Sequence, residues 1–333
     1  MMCISILSIL FQSPTYVVSD AGHDTHKVIA SKMGSVFEVT AVHPNPETAR
    51  EAIDAAYAEI DRIEQLISSW RSDSETSQIN QQAGVAPVTV STELFQLIQR
   101  SKKVSALTDG AFDITIGGVL PLWHFKTTEP QIPDQKMIIK ALELVSYELI
   151  ECDSENTSVF LPKQGMSIGF GAIGKGYAAN RAAKVLKEHG ITGGIVNAGG
   201  DMLVFGRDGS QQPWRVSIAH PRDQHARIAE LHLLDQAIVT SGDYERFFMY
   251  GGVRYSHIID PRSGWPVQGT RSVTVICPDA EVADAMATAL SVMGVDGLKL
   301  IDQLKGFMAI VVDASGEIHM SQSLTERMNE VKL

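Results

Sequence analysis

Asp284 and Thr288, in the stretch EVADAMATAL, stand four residues apart on a predicted helix and so share one face. A carboxylate and a hydroxyl one turn apart suit a hard cation such as Mg²⁺, which takes few protein ligands and completes its shell from phosphates and water. The same spacing also describes a polar stripe on a surface helix. Here the pair is flanked by Ala283, Ala285, Ala287 and Ala289, small neighbours that let another group come close. His257, in YSHIIDPRSGWP, falls on a predicted strand just before a turn marked by Asp260, Pro261 and Gly264. A histidine with a near-neutral pKa can take a proton from an attacking hydroxyl, although with 10 histidines in the chain most have no such role. TSGDYER, from Thr240 to Arg246, gathers hydroxyls, a carboxylate and a guanidinium in one loop, which suits ligand contacts or a loop-stabilising network equally.

A glycine-rich stretch supplies a second kind of chemistry. From Met166 to Asp201 the pattern reads strand, glycine turn, helix, strand, glycine turn. Gly169, Gly171 and Gly174 fit the dinucleotide fingerprint, yet Glu188 is still on the helix and Asp201 lies in the second glycine turn, so the ribose-binding acid is missing. Gly169, Gly174 and Lys175 fit the P-loop up to its end, where Gly176 replaces the Ser or Thr that would hold Mg²⁺. What remains is shared physics: glycines let backbone N–H groups approach an anion, and a helix N-terminus favours negative charge. The alternative is a tight turn and nothing more.

The elements that must position these groups form a mixed set. A helix is predicted from Glu47 to Trp70, with Asn45 as cap, Pro46 at its first position and Ile53, Tyr57, Ile60, Ile63 and Ile67 as its apolar stripe. Ser68 to Asn80 reads as a solvated loop, Thr92 to Leu107 and Gln135 to Val145 as helices, and Ala111 to Phe125 as a buried strand and turn or part of a pocket. Asp113 within that apolar run needs a partner. After Asp201 short strands dominate, including a hairpin that turns at Gly251 and Gly252, before a helix over Glu281 to Met293, another near Asp296 to Leu304 and a last hairpin. Strands outnumber helices and the crossovers are irregular, which predicts α+β architecture, mainly antiparallel sheets with packed helices. Residues 1–30 read as leader and linker, with a short apolar run from Ile4 to Phe11, and residues 31–325 as one domain.

Composition narrows the partners. The 333 residues carry a formal charge of -11 and are 44% hydrophobic, which describes a globular chain and argues against nucleic acid as the main partner. Cys3, Cys152 and Cys277 are too few and too widely spaced for a disulfide framework or a zinc site.

Seven segments in order resemble the ApbE family of FAD:protein FMN transferases: SDSETSQIN, DGAFDITIGGVLPLW, GAIGKGYAAN, VNAGGD, TSGDYER, YSHIIDPRSGWPV and ADAMATALSVMG, across Ser35 to Ser321. Any one is a weak signal, but their order is specific. The resemblance implies Mg²⁺-dependent transfer of the FMN half of FAD to a Thr or Ser hydroxyl of an acceptor protein, with release of AMP. By the family's pattern Asp284, Thr288 and the carbonyl of Ala172 would ligate the metal. Lys175 and nearby N–H groups would offset phosphate charge, and His257 would be the general base. Ser72, Ser74, Asp113, Asn197, Gly199, Gly200, Asp201, Thr240, Ser241, Gly242 and Asp243 would line the FAD pocket.

The family often has Asp, Ala and Asp where Gly169, Gly174 and Asn180 stand, and the first change removes a carboxylate beside the metal turn. Since the family modifies subunits of membrane redox complexes, usually on the outer face, the resemblance implies a periplasmic or outer-face location. Cys3 comes too early for a lipid anchor with a leader before it. The rival activities are FAD hydrolysis to FMN and AMP at the same metal site and flavin binding without catalysis.

Overall fold

A computed structural model of the chain describes residues 15–18, 24–125 and 129–330. The described residues open on a sheet. Strands β1 (Thr15–Val18), β2 (Thr25–Lys32) and β3 (Ser35–Val42) run antiparallel in that order, and α1 (Pro46–Ile67) then lies across them. Asn45 caps α1 by accepting the N–H groups of Glu47 and Thr48, and Ile53, Ile60 and Ile63 are wholly buried. Because β2 pairs with β3 along its whole length, the paired chain begins before the boundary expected at residue 31. The apolar run Ile4 to Phe11 lies outside the described residues, and no described helix is long and apolar enough to cross a membrane.

Next come α2 (Glu75–Gln81), β4 (Val88–Thr89), α3 (Thr92–Leu107), α4 (Gln135–Leu142), β5 (Glu151–Asp153) and β6 (Ser158–Phe160). Two expectations change here. The expected loop at Ser68 to Asn80 contains α2, because Ser74 caps it by accepting the N–H of Ser77. The run after Asp113 forms a short 3-10 helix, Ile114–Gly118, rather than a strand.

Helix α5 (Gly174–Glu188) leads into β7 (Gly193–Ala198) and β8 (Asp201–Phe205). The expected strand before α5 does not form: residues 166–170 belong to no strand. Asn80 clamps them instead, its amide donating to the Ile168 carbonyl at 2.9 Å and accepting the Ile168 N–H at 2.8 Å.

The ribbon β9 (Trp214–His220) and β10 (Asp223–Leu233), strand β11 (Gln236–Gly242), the hairpin β12 (Phe247–Tyr250) and β13 (Val253–Ser256), and β14 (Thr270–Cys277) follow. Helices α6 (Ala280–Met293) and α7 (Leu298–Ile301), strands β15 (Met308–Asp313) and β16 (Ile318–Met320), and a helix the sequence did not announce, α8 (Gln322–Glu330), complete the chain. Nine strands join in the order β1-β2-β3-β7-β8-β11-β14-β15-β16, every pair antiparallel, which bears out the α+β reading.

Both faces of this sheet are covered, so its central strands read as continuous apolar runs. Ala237, Val239, Val273, Val275, Ala309 and Val311 face the helical layer that contains α1, α5 and α6. Their alternates Ile238, Ile276, Met308 and Ile310 face the β9–β10 ribbon, with Trp214, Val216 and Leu231, and α8 through Leu324. A third cluster binds Trp123, Phe248 and Ile259, with Tyr255 and Trp265 against it, and fastens the β12–β13 hairpin to the segment after α3. The Trp123 indole N–H donates to the Gly264 carbonyl at 2.9 Å.

Candidate active site at the crossing of two helices

The first turn of α5 has no side chain of its own to cap it. Its cap comes from α6: Asp284 Oδ2 accepts the N–H of Gly176 at 3.0 Å, across 108 positions of sequence. This is the anion-favouring end of a helix, so a carboxylate is well placed there. The two helices touch here through Gly176. A Cβ on it would lie 2.0 Å from the carbonyl oxygen of Ala280 and 2.9 Å from Asp284 Cβ. The P-loop hydroxyl is therefore missing for a steric reason: no side chain fits where α6 crosses.

Asn180 and Arg100 fix the start of α6. The Asn180 amide donates to Asp279 Oδ1 at 2.9 Å, while its oxygen accepts the Ala280 N–H at 3.0 Å. An aspartate at position 180 has no proton to give to Asp279 when ionised, so this departure from the family pattern belongs to helix docking. Arg100 holds Glu281 through two contacts of 2.7 and 3.0 Å. The other departures are also sterically legible. A Cβ at Gly174 would press on the end of the Ile67 side chain, at 2.8 Å, with Phe170 Cβ at an ordinary 3.5 Å, and one at Gly169 would find Ser69 Oγ at 3.7 Å.

Lys175, one residue before Gly176, reaches Asp201 Oδ2 at 2.5 Å. Burial disfavours the ammonium, but the charges of Asp201 and then Asp284 outweigh it and hold Lys175 above its ordinary range. Burial raises the carboxyl of Asp284, the charge of Asp201 adds to that, and Lys175 and the Gly176 N–H only partly offset it. Glu245 belongs to the same electrostatic group: burial and the Asp201 charge raise its pKa while Lys175 lowers it. His257 completes the cluster. Burial drives its pKa down to about 4, opposed by a hydrogen bond to Arg246 and reinforced by the positive charges of Arg246 and Lys175. Its Nδ1 lies 3.2 Å from the Arg246 carbonyl, which can only accept, so Nδ1 carries the hydrogen and Nε2 keeps its lone pair.

The sheet's alternation sorts the remaining residues expected in the pocket. Asp201 is in step with Leu203 and Phe205 and points toward the helices, as does Ser241 in step with Val239. Asn197 and Thr240 are out of step and serve local structure. Asn197 Oδ1 accepts the Gly200 N–H at 2.8 Å, closing the two-residue turn in which Gly199 and Gly200 have φ of 68° and 107°. Thr240 Oγ1 lies 2.9 Å from Thr274 Oγ1. Gly242 leaves room for the Tyr244 ring, which a Cβ would meet at 2.3 Å.

Asp243 is committed to Arg222, at 2.8 and 2.6 Å. The carboxylate of Asp113 finds its partners in Thr115 and the N–H of Tyr147, so it caps the 3-10 helix. Ser74 Oγ donates to the Ser68 carbonyl at 2.5 Å, and Ser72 is exposed beside it. Sequence reasoning missed Glu245, although it sits inside TSGDYER, and Trp70. The indole is 94% exposed on the loop whose Ser69 abuts the glycine turn, where an aromatic within a polar loop was the available signal.

A hard dication fits the donors at the crossing. Asp284 is a buried carboxylate whose nearest cation, Lys175, is already paired with Asp201. Thr288 is half-buried one turn along on the same helix. The Ala172 carbonyl accepts no backbone hydrogen bond among the described residues, because the first helical bond, from Tyr177, goes to Ile173. A second cluster, Asp313, Glu317 and His319, lies on the last hairpin, and Asp313 there is consumed by the turn N–H groups of Ser315, Gly316 and Glu317.

Comparison with known proteins agrees with this geometry. The ApbE family model matches residues 33–311. An FAD:protein FMN transferase of Klebsiella pneumoniae is 37% identical over 265 residues, covering 79% of this chain and 82% of the relative. One from Treponema pallidum is 30% identical over 313 residues, covering 89% and 86%. The crystal structure of the ApbE protein from Thermotoga maritima superposes with a TM-score of 0.84 at 32% identity, covering 90% of this chain and 98% of that one. The apo flavinyl transferase ApbE of Pseudomonas stutzeri gives 0.81 at 28% identity, covering 92% and 98%. The family model spans most of the chain and the relatives align over most of their own lengths, and we conclude that this chain belongs to the ApbE family.

Proposed function

We propose that the protein transfers the FMN half of FAD to a Ser or Thr hydroxyl of an acceptor protein and releases AMP, with Mg²⁺ held by Asp284, Thr288 and the Ala172 carbonyl. The observation that carries this reading is the Asp284 carboxylate seated on the first turn of α5 beside Lys175, in a chain whose relatives bear the name FAD:protein FMN transferase. When bound, the metal supplies positive charge for phosphate oxygens. Lys175 adds a second positive charge, and the glycine turn brings backbone N–H groups close to the same anion.

His257 Nε2 takes the acceptor hydroxyl's proton as the new O–P bond forms to the FMN phosphorus. The bond from that phosphorus to the bridging oxygen breaks, and AMP leaves with the electron pair. The depressed pKa of His257 keeps it neutral, and so able to accept a proton, at neutral pH. We further propose that the acceptor is a subunit of a membrane redox complex and that the enzyme works on the outer face of the membrane, in keeping with the family.

The test supplies FAD and Mg²⁺ with and without a redox-complex subunit bearing the hydroxyl, then looks for flavin fluorescence on the denatured proteins and for AMP. Label on the acceptor together with AMP, both abolished by chelation, is the expected result. AMP formed equally without acceptor would mean hydrolysis instead, and neither product would mean a binder.

A further inference from the structure

Asp201 is an unusual buried acid. Its side chain is 1% exposed, and among the described residues Oδ2 meets no hydrogen-bond donor other than the Lys175 ammonium, an ion pair at 2.5 Å. Asp113 shows what a structural acid looks like in this fold, with both oxygens taken by backbone N–H groups and a hydroxyl. Asp201 caps nothing through Oδ2. It is also too deeply buried to meet a substrate without first displacing Lys175, which is itself 25% exposed.

Lys175 for its part stands where a cation is disfavoured. The first turn of α5 carries the positive end of the helix dipole, and an unrestrained lysine there would turn its ammonium out to water. Asp201 is aimed inward by a rigid device. The two-residue turn before it takes positive φ at Gly199 and Gly200, Asn197 locks that turn, and Gly199 sits against Ser35 so closely that a Cβ would fall 1.9 Å from Ser35 Oγ.

We propose that Asp201 is a positioning residue for Lys175, holding the ammonium against the helix N-terminus and beside Asp284, and that it acts on the reaction only through that lysine. The kinetic half of this proposal rests on the transfer reading above. The structural half does not.

Both halves are tested on the full-length protein. Acetylation of lysines in the metal-free and FAD-free protein is followed by mass spectrometry, with the exposed Lys184 as internal reference. In Asp201→Asn, Lys175 labels about tenfold faster than in the wild type while Lys184 is unchanged, since a freed amine is both more accessible and more often neutral. Asp201→Ala, which leaves no polar atom to bury, gives the same result if the asparagine variant does not fold.

In the transfer assay Asp201→Asn, Lys175→Met and the double variant each lose about 100-fold in kcat, with KM for FAD moving much less, because a residue that works only through another adds nothing once its partner is gone. Unchanged Lys175 labelling in both Asp201 variants overturns the proposal. So does a double variant whose loss is the product of the two single losses. A wild-type protein that shows no transfer while Lys175 labelling still responds to Asp201 would refute the transfer reading and leave the positioning role standing.

Discussion

Gly176→Ala tests the idea that the two helices carrying the site are held at a fixed separation by the absence of a side chain. The added methyl would lie 2.0 Å from the Ala280 carbonyl oxygen and 2.6 Å from its carbon, against an ordinary contact of 3.4 Å or more. Neither atom is the loose end of a side chain, so α6 must retreat by the difference between 2.0 and 3.4 Å or α5 must unwind its first turn. Either movement breaks the 3.0 Å bond from Gly176 to Asp284.

Overpacking of this kind costs about 1–3 kcal/mol, and alanine's better helix propensity returns at most about 1 kcal/mol. A net loss of about 1–2 kcal/mol is expected in urea unfolding. The effect on turnover is larger, because a displacement near 1 Å at a reacting centre costs on the order of 100-fold in rate. Gly174→Ala is the control: its only approach under 3.0 Å is to the end of the Ile67 side chain rather than to backbone, so stability within about 1 kcal/mol of wild type and near-normal transfer are expected. A Gly176→Ala protein as stable and as active as Gly174→Ala would refute the reasoning, since it would show that the helices have slack.

Asp284→Asn keeps an oxygen to accept the Gly176 N–H but loses the charge, so unfolding stability stays within about 1 kcal/mol while Mg²⁺-dependent transfer falls by on the order of 100-fold. Asp284→Ala loses the cap as well and is less stable than the asparagine variant in the same urea titration. His257 has a folded pKa of about 4 against an ordinary value of 6.5, so it stays neutral as the pH drops below neutrality, and the acid limb of the kcat profile should fall well below pH 6. The same depressed pKa contributes stability that is present above 6.5 and lost as pH falls toward 4, which the difference in urea midpoint between wild type and His257→Gln across that window measures. Asn180→Asp removes the proton given to Asp279 and sets two carboxylates together, costing about 1 kcal/mol in unfolding while sparing transfer.

The sequence made the helical layer and the strand-rich second half readable, because stripes such as Ile53 to Ile67 and turns such as Gly251-Gly252 carry their own periodicity. It misled where tertiary contact replaced local pattern. Ile168 looks like strand, but its backbone is satisfied by the Asn80 side chain rather than by a neighbouring strand. Ser74, expected in the pocket on the family's pattern, also caps a helix that the sequence reading took for loop. Lys175, His257 and Asp284 stood out in the sequence by chemistry and motif, and the fold brings them into one electrostatic cluster. The division between Asp201, which faces the helices, and Asn197, which does not, depends on strand phase, and only the paired registers fix that. Glu245 escaped notice because an acid in a polar loop has no signature until the fold brings it within reach of the charges of Lys175 and Asp201.

The bond from Asp284 to Gly176 spans 108 positions, and the ion pair from Arg100 to Glu281 that steadies the same helix spans 181. Contacts of such high sequence separation close large loops and form slowly, after local helices and hairpins have settled. The helix crossing proposed to hold the metal is accordingly absent from any fragment that lacks either helix and is expected to arise late in refolding. Metal affinity followed during refolding would thus act as a clock for the last stage of assembly.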